Sequence, residues 1–380
     1  MAADGGDEVV LEVAGREVPI SHPDKVFFPT RGETKLDLAN YYVAVAEPLL
    51  ATMGGRPVLL QRFPNGATGN SFFQKRVAPT KAAPWITTAV VSTPNGTTSS
   101  ALVAVDVAHV LWAVNMGCLG FHVWPTRARP DGEGEPDPRA PSTGYGIPEQ
   151  ERGPLADEVR IDLDPTPGVD FEMVREAAAE VEQLFGELGV RAFPKTTGNR
   201  GIHVYVRIED GRWSSYDVRA CAVAVARALE RRRPDLLTAA WWKEERGRRV
   251  FIDFNQNAPH KTVFGAWSAR ARPGAQVSTP FTWDELDTID ADALTIVSVP
   301  PRTDAHGDAW ATIDDHLQSL EPFLAMHERD LASGLTDAPW PPVYPKMPGE
   351  PARVAPSRAK KPAKKATKAR KSTKKKASEN

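Results

Sequence analysis

The sequence predicts an α/β fold in which mixed central sheets carry flanking helices. Residues 159–165 alternate between apolar and polar side chains, as a half-buried strand does, and 171–188 follow with an apolar stripe at helical spacing. A strand pattern at 203–208 precedes a second amphipathic stretch at 216–233, and 250–254 gives a third strand pattern. With 380 residues, of which 41% are hydrophobic, the chain can form one large or two ordinary domains.

Charge divides the chain into a folded body and a basic tail. The formal net charge is −2, but residues 351–380 hold 12 Lys and Arg against one acid, which leaves 35 basic and 48 acidic residues in 1–350. We expect one folded domain over 1–335 and, over 336–380, a Pro-rich linker with a disordered Lys-rich tail. Such a tail either tethers the protein to DNA through phosphate charge or keeps it soluble, and the acidic body favours tethering.

Cysteine usage and hydropathy favour a cytoplasmic protein. Cys118 and Cys221 are the only cysteines, which excludes a disulfide framework and suits a reducing compartment. No run approaches 18 uninterrupted apolar residues, and the acidic N-terminus lacks the basic and apolar regions of a secretion signal. Membrane insertion is therefore not expected.

Two lysines stand out near the N-terminus. A hairpin is predicted over 9–20, and the loop after it displays Lys25. Thr34 has the residue type of an N-cap, and apolar residues over 36–49 recur at helical spacing, which predicts a helix of about four turns. Lys35 lies in its first turn, where the helix dipole disfavours a cation, so a bound phosphate would explain this lysine better than solvent.

Aromatic side chains and a histidine mark the segments that follow. After the predicted strand 56–62, Phe72 and Phe73 precede Lys75, a pattern that could stack an unpaired base and hold its phosphate. One of the two phenylalanines could equally belong to the core. His122 lies on the next predicted strand, where a lone histidine is more often structural than a ligand.

A pair of carboxylates ends the strand 159–165. The preceding residues, 127–157, contain six Pro and five Gly and predict a long exposed loop or insertion. Asp162 and Asp164 share one face of the strand with Cα atoms about 6.5 Å apart, so they can hold one hard cation or bridge two. The alternative is a strand edge that runs into a turn at Pro165.

A cationic, Gly-rich turn and a third acid follow along the chain. Two glycines in 195–203 would let backbone N–H groups approach a phosphate, while Thr197 and Arg200 can bond its oxygens. The Gly-Lys-Ser/Thr end of a P-loop is missing, so this turn alone is a weak indication. Asp253 lies among apolar residues of the predicted strand 250–254, and a buried acid needs a partner or a metal.

These motifs occur in the same order in a known family. Over about residues 15–330 the sequence resembles the archaeo-eukaryotic primase superfamily, and within it the polymerase domain of bacterial non-homologous end-joining ligase D and its stand-alone relatives. The resemblance implies a primase-polymerase fold with two subdomains. The segments that carry it are HPDKVFFP, TKLDLANYY, RPVLLQRFPNG, FFQK, LWAVNMGCLGFHVW, RIDLDPTPG, TTGNRGIHV, FIDFNQN and RARPGAQVSTPFTWDEL.

The resemblance also implies roles for individual residues. Asp162, Asp164 and Asp253 would be the catalytic, metal-binding carboxylates. The residues lining the nucleotide pocket would be His122, Thr197, Arg200, His203, Arg246, Gln256, Lys261 and Arg270. Lys25 and Lys35 would hold a DNA 5′-phosphate, while Phe72 and Phe73, with Lys75 beside them, would stack on the template.

The implied activity is template-dependent nucleotidyl transfer to primer ends at DNA breaks or short gaps. Two divalent ions, Mn²⁺ or Mg²⁺, would activate the primer hydroxyl and offset charge on an NTP or dNTP. No Lys-x-Asp-Gly ligase motif is present, so we expect a separate DNA ligase, and a Ku-like end-binding protein could assist. Two alternatives stay open: a non-catalytic DNA-end binding module that recruits a ligase, and a primase that starts chains without a primer.

Overall fold

The strands form two main sheets with helices packed on them, which confirms the predicted α/β class. In this computed structural model the described residues are 7–78, 80, 82–92, 97–128, 155–347 and 350–353. Most of the predicted insertion 127–157 and the tail from residue 354 onward lie outside the described residues. None of the described helices has the length and apolar character needed to cross a bilayer.

Groups of strands are separated by single helices or helix pairs along the chain. The strands are β1 (Glu8–Val13), β2 (Arg16–Ser21), β3 (Val26–Phe28), β4 (Glu33–Thr34), β5 (Pro57–Arg62), β6 (Phe72–Gln74), β7 (Thr88–Ser92), β8 (Thr98–Val103), β9 (Cys118–Val123), β10 (Glu158–Pro165), β11 (Phe193–Thr196), β12 (Ile202–Arg207), β13 (Leu237–Thr238), β14 (Val250–Ile252) and β15 (Val263–Phe264). The α-helices are α1 (Lys35–Ala44), α2 (Ala46–Met53), α3 (Val107–Asn115), α4 (Phe171–Glu187), α5 (Ser215–Arg232), α6 (Val299–His306) and α7 (Glu321–Ala332). Short 3-10 helices include Lys243–Glu245 and Phe254–Asn257.

Two sheets, named A and B, position the candidate site. In the described chain, sheet A has the order β11-β12-β10-β14-β13, with β10 antiparallel to both β12 and β14. Sheet B has the order β15-β9-β5-β8-β7, and β6 pairs with β5 outside this path. The hairpin β1-β2 confirms the prediction for residues 9–20.

The two faces of β10 serve different purposes, as the alternation predicts. Val159, Ile161 and Leu163 are buried in the core, and helices α4 and α5 contact this strand. The opposite face carries the charged residues and is directed at sheet B, because the Arg160 Nη2 atom donates to the carbonyl oxygen of Val123 at 3.0 Å. The predicted polar face therefore lies between the two sheets.

Two predicted elements differ from the structure. The four-turn helix after Thr34 is divided at Val45 into α1 and α2, since Pro48 has no N–H to donate to the preceding turn. The predicted strand 250–254 ends at Ile252. Asp253 instead caps a 3-10 helix by accepting a hydrogen bond from the Asn255 N–H at 3.1 Å, because a short acidic side chain competes well for backbone donors.

The segment after α7 packs on the body of the protein. We name the described residues 336–347 and 350–353 the C-terminal strap. The sequence predicts a linker from residue 336, whereas Trp340 is only 3% exposed and Tyr344 only 7% exposed. The division into a domain over 1–335 and a linker with a tail stays a prediction.

Candidate active site

Three aspartates meet where β14 ends beside the second half of β10. Asp162 and Asp164 project from β10, and Asp253 follows the last residue of β14. The Asp253 N–H donates to the Asp162 carbonyl oxygen at 2.9 Å, so the two backbones are neighbours. Asp164 is exposed, while Asp162 and Asp253 are partly buried. The structure thus brings the three predicted carboxylates into one neighbourhood.

These carboxylates resist ionisation. Burial raises the pKa of Asp162 to about 6, although the charges of Lys195 and Arg270 lower it. Burial also raises the pKa of Asp253 to about 6, and repulsion by Asp162 adds to the effect. The pKa of Asp164 is raised by burial and then by Asp162. The nearby cations offset the effect of burial on these pKa values only in part, and a bound divalent cation would favour the charged forms of the acids.

The donor chemistry fits a hard divalent cation, but the side chains do not form a closed cage. Among the described residues, no three or more His, Cys, Asp or Glu side chains are arranged to hold a metal ion. The Gln256 Nε2 atom donates to Asp253 Oδ2 at 2.9 Å, and a hydrogen bond from the same side chain lowers the pKa of Asp162. One amide group therefore hydrogen-bonds both carboxylates, and a bound cation could take its place between them.

Two histidines lie near the site, His203 in contact with Asp162 and His122 within electrostatic range of His203. His203 pairs with Asp162 across β12 and β10, and its Nε2 atom lies 3.2 Å from Asp162 Oδ1. Burial lowers the pKa of His203 well below its usual value, and that of His122 to about 3, with nearby cations adding to both effects. The ring of His122 contacts Phe73 and Phe264 edge to face, at 5.3 and 5.2 Å between centroids. Both imidazoles are therefore neutral in the folded protein.

Lys195 lies on β11 beside His203, which in turn lies beside Asp162, but the sequence alone did not single it out as a site residue. It pairs with His203 across β11 and β12, is fully buried, and donates to Ser278 Oγ at 2.6 Å. Burial lowers its pKa well below the usual value for lysine, and Arg270 lowers it further. The only available signal was its position two residues before Thr197, since the register that places it beside His203 cannot be read from sequence.

Predicted cations surround the carboxylates: Arg200, Arg246, Lys261 and Arg270. The Arg270 guanidinium lies 4.0 Å from the ring centre of Phe264, and its charge lowers the pKa of Asp162. Lys261 lowers the pKa of Asp253, while Arg246 and Arg200 lower that of Asp164. Every predicted cation of the nucleotide pocket therefore interacts electrostatically with at least one carboxylate.

The turn between β11 and β12 uses its polar groups internally. Thr197 Oγ1 accepts hydrogen bonds from the N–H groups of Asn199 and Gly201, at 3.2 and 3.1 Å. A side chain at Gly201 would place its Cβ 2.6 Å from the Leu163 carbonyl oxygen, so glycine is needed for close approach to β10. Phosphate binding by this turn stays a prediction.

The aromatic pair on β6 is exposed. Phe72 is 48% and Phe73 55% exposed, so the alternative that one of them belongs to the core is wrong. The Arg62 guanidinium lies 5.0 Å from the ring centre of Phe72, and Lys75 is also exposed. Because Phe73 contacts His122, this platform adjoins the carboxylate site.

The two N-terminal lysines differ in environment. Lys25 is exposed and its Nζ atom donates to Asn65 Oδ1 at 3.1 Å. Lys35 is 5% exposed, and its Nζ atom donates to the Ser21 carbonyl oxygen at 2.7 Å and to Asn115 Oδ1 at 2.8 Å. Burial lowers the pKa of Lys35 to about 8, and the charge of Lys25 lowers it further. Lys35 is therefore held by protein oxygens rather than by solvent.

Comparisons with a family model and with known proteins point to the same family. Residues 34–310 match the family model described as LigD, primase-polymerase domain. The multifunctional non-homologous end joining DNA repair protein LigD of Mycobacterium tuberculosis is 34% identical over 301 residues, which is 79% of this chain and 37% of that protein. LigD of Pseudomonas aeruginosa is 31% identical over 321 residues, or 83% of this chain and 35% of that protein.

A solved structure agrees with the sequence comparison. The polymerase domain of Mycobacterium tuberculosis ligase D in complex with DNA superposes with a TM-score of 0.68 at 32% identity, covering 79% of this chain and 98% of that one. The chain spans little more than a third of the full-length relatives it matches. It belongs to the family of LigD primase-polymerase domains.

Proposed function

We propose that the protein is a template-dependent nucleotidyltransferase that adds nucleotides to primer ends at DNA breaks or short gaps. One observation carries the proposal. Asp162 repels both Asp164 and Asp253 where β14 ends beside β10, and nearby cationic side chains offset the effect of burial on the three acids only in part. Acids that are not fully compensated, with cations close by, are what a site for a metal and a triphosphate requires.

The carboxylates would hold Mn²⁺ or Mg²⁺. A bound divalent ion supplies positive charge that favours the primer alkoxide and the developing charge on the transferred phosphate. Asp162, Asp164 and Asp253 would be the ligands from the protein, and the ion would take the place of the Gln256 hydrogen bonds to Asp162 and Asp253. Neutral His203, beside Asp162, can bond a phosphate oxygen or accept a proton there.

The triphosphate would lie on the cationic side of the site. Arg246, Lys261 and Arg270 offset its charge, and Arg200 with Thr197 bonds its outer oxygens. Neutral His122, set between Phe73 and Phe264, offers a ring nitrogen to the nucleotide without adding charge. An NTP or dNTP satisfies these contacts equally.

DNA would reach the site from two directions. Phe72 and Phe73 provide exposed aromatic surface for unpaired template bases, with Lys75 near their phosphates. Lys25 and the buried Lys35 would hold the 5′-phosphate on the far side of a gap, and the tail beyond residue 353 would add affinity that depends on salt. Because the relatives are named for non-homologous end joining DNA repair, we propose that a DNA ligase, with a Ku-like protein, completes the repair at the nucleoid in the cytoplasm.

A primer-extension assay tests the proposal. The protein is incubated with gapped DNA that bears or lacks a 5′-phosphate, with NTPs or dNTPs, in Mn²⁺ or Mg²⁺. Asp162→Ala/Asp164→Ala should lower the extension rate at least about 100-fold while DNA binding is kept, because ligands of the catalytic ion are removed. The exposed acid Glu172→Ala is the control and should extend normally.

The other outcomes identify the alternatives. Extension that survives the double substitution would remove the metal assignment from these residues. Binding to DNA ends without extension under any condition would favour a recruiting module, and synthesis on a template without a primer would favour a primase. Equal extension with and without the 5′-phosphate would remove the role of Lys25 and Lys35.

A further inference from the structure

The C-terminal strap lies outside the segment that matches the family model, yet it contacts the turn that carries the third carboxylate. The family match covers residues 34–310, and the strap begins at residue 336. Trp340 and Tyr344 are buried in a small cluster with Ala258, which follows the 3-10 helix Phe254–Asn257. This part of the chain therefore packs against the residues that follow Asp253.

Arg219, on α5, joins the strap to that 3-10 helix. Its Nη1 atom donates to Asp337 Oδ1 at 2.9 Å, and its Nη2 atom to the Ala338 carbonyl oxygen at 2.8 Å. Its Nε atom donates to Asn255 Oδ1 at 2.8 Å. The guanidinium also lies 3.8 Å from the centre of the ring system of Trp340, a buried residue of the strap. Arg219 is only 2% exposed, and its side-chain N–H groups donate to the strap and to Asn255.

Asn255 connects the junction to the carboxylate. Its Nδ2 atom donates to the Pro339 carbonyl oxygen at 3.0 Å, so both ends of its amide are fixed by the strap and by Arg219. Its backbone N–H donates to Asp253 Oδ1 at 3.1 Å. The orientation of the Asp253 carboxylate thus depends on a residue that the strap holds in place.

A second attachment lies on the far side of the 3-10 helix. The Tyr344 hydroxyl donates to the Pro259 carbonyl oxygen, two residues before Lys261. The strap is held in this shape by Glu350, whose Oε1 atom accepts from the Trp340 N–H at 2.8 Å. Arg353 reinforces it with donations to Glu350 and, at 2.6 Å, to the Tyr344 carbonyl oxygen.

We propose that the C-terminal strap is a positioning element of the active site, which holds Asp253 and the turn up to Lys261 in the orientation that binds the catalytic cation. The proposal rests on the proposed function, because it concerns the ligand geometry of the same site. Trp340 is its main positioning residue, since its ring covers the Arg219 junction. Partners that orient metal ligands from behind change metal affinity by about 10- to 100-fold when they are removed.

The test uses full-length Trp340→Ala, with Trp340→Phe as the conservative variant and Phe323→Ala as the matched control. Phe323 is a fully buried aromatic residue of α7, and its ring partner is Phe185 at 5.1 Å. Hydrogen exchange of the amides 253–261 is measured without metal, and Mn²⁺ affinity is measured by electron paramagnetic resonance at a temperature where all variants are folded.

The expected result separates positioning from general stability. Trp340→Ala should speed exchange over 253–261 and weaken Mn²⁺ binding about tenfold, Trp340→Phe should restore much of both, and Phe323→Ala should change neither. Unchanged exchange or unchanged Mn²⁺ affinity in Trp340→Ala would overturn the proposal, as would equal effects from Phe323→Ala. If Trp340→Ala does not fold, Tyr344→Phe takes its place and should speed exchange at 258–261.

Failure of the proposed function gives a different signature. If the wild-type protein binds no Mn²⁺, or Asp253→Ala binds it as tightly as wild type, the metal assignment is wrong. The exchange comparison, which needs no metal, then decides by itself whether the strap orders the turn.

Discussion

The two ends of the polar face of β10 carry similar side chains and have opposite electrostatic character. At the start of the strand, Glu158 lies opposite Arg207, and two positions later Arg160 lies opposite Tyr205. At its end, Asp162 lies opposite His203. Glu158 is buried and Asp162 partly buried, and burial by itself raises the pKa of both, so burial alone does not explain the difference. The difference lies in which partners the tertiary fold supplies.

At the start of β10 every acid has a guanidinium. Glu158 Oε1 accepts from Arg160 Nε at 2.7 Å and Glu158 Oε2 accepts from Arg207 Nη1 at 2.5 Å, while Arg56 Nη2 donates to Asp157 Oδ2 at 2.7 Å. Burial by itself would raise the pKa of Glu158, but Arg56, Arg160 and Arg207 together lower it below its usual range. The result is a closed ionic cluster that joins sheet A to sheet B.

At the other end the acids lack such partners, and their pKa values rise instead. Burial dominates at Asp162 and Asp253, and the surrounding cations compensate it only in part. A buried acid with guanidinium partners is thus a structural element, whereas a buried acid without them is ready to bind a cation. Three measurements test this contrast.

The largest effect is expected from Glu158→Gln. The substitution keeps the shape of the side chain but leaves three buried guanidinium groups without their shared anion. The free energy of unfolding should fall by about 3–5 kcal/mol at pH 7, measured by denaturant titration. Glu17→Gln, at an exposed position, is the control and should change stability little. A loss below about 1 kcal/mol would show that the cluster does not hold the sheets together.

In the metal-free protein, Asp162→Asn should increase the free energy of unfolding, whereas Glu158→Gln should decrease it. The folded state raises the pKa of Asp162 to about 6, so the folded protein binds a proton more tightly than the unfolded chain between about pH 4 and 6. Stability is therefore lost as pH rises through 6, and the neutral amide should recover about 1–2 kcal/mol at pH 8. The gain should shrink toward pH 4. If Asp162→Asn destabilises the protein at pH 8, Asp162 is a structural acid with stabilising partners, as Glu158 is.

The smallest expected effect is the pH dependence of Mn²⁺ binding. Each carboxylate with a pKa near 6 must lose its proton before it can bind the ion. Lowering the pH from 7.5 to 5.5 should weaken binding about fourfold for each such carboxylate, measured by titration calorimetry. Affinity that does not change over this range would mean that the acids are already paired, and the contrast between the two ends of β10 would disappear.

Local patterns predicted most of the elements, and they also led to the proposed site residues. The alternation over 159–165, the cap at Thr34 and the stripes of α4 and α5 are short-range signals, and the structure confirms each of them. The division of the first helix at Val45 was missed although Pro48 gave a signal for it. The end of β14 at Ile252 was missed because a strand and a capped 3-10 helix share the same apolar pattern.

The α/β class, the family and the candidate site residues follow from the sequence, because periodicity and motif order depend on neighbours along the chain. Which charged and polar groups contact one another depends on the tertiary structure. Lys195 lies beside His203 through sheet register, Lys35 is enclosed by Ser21 and Asn115, and the strap reaches Asp253 through Arg219. Such contacts join residues far apart in sequence, and the ionisation of each acid depends on burial and on partners that only the folded chain assembles.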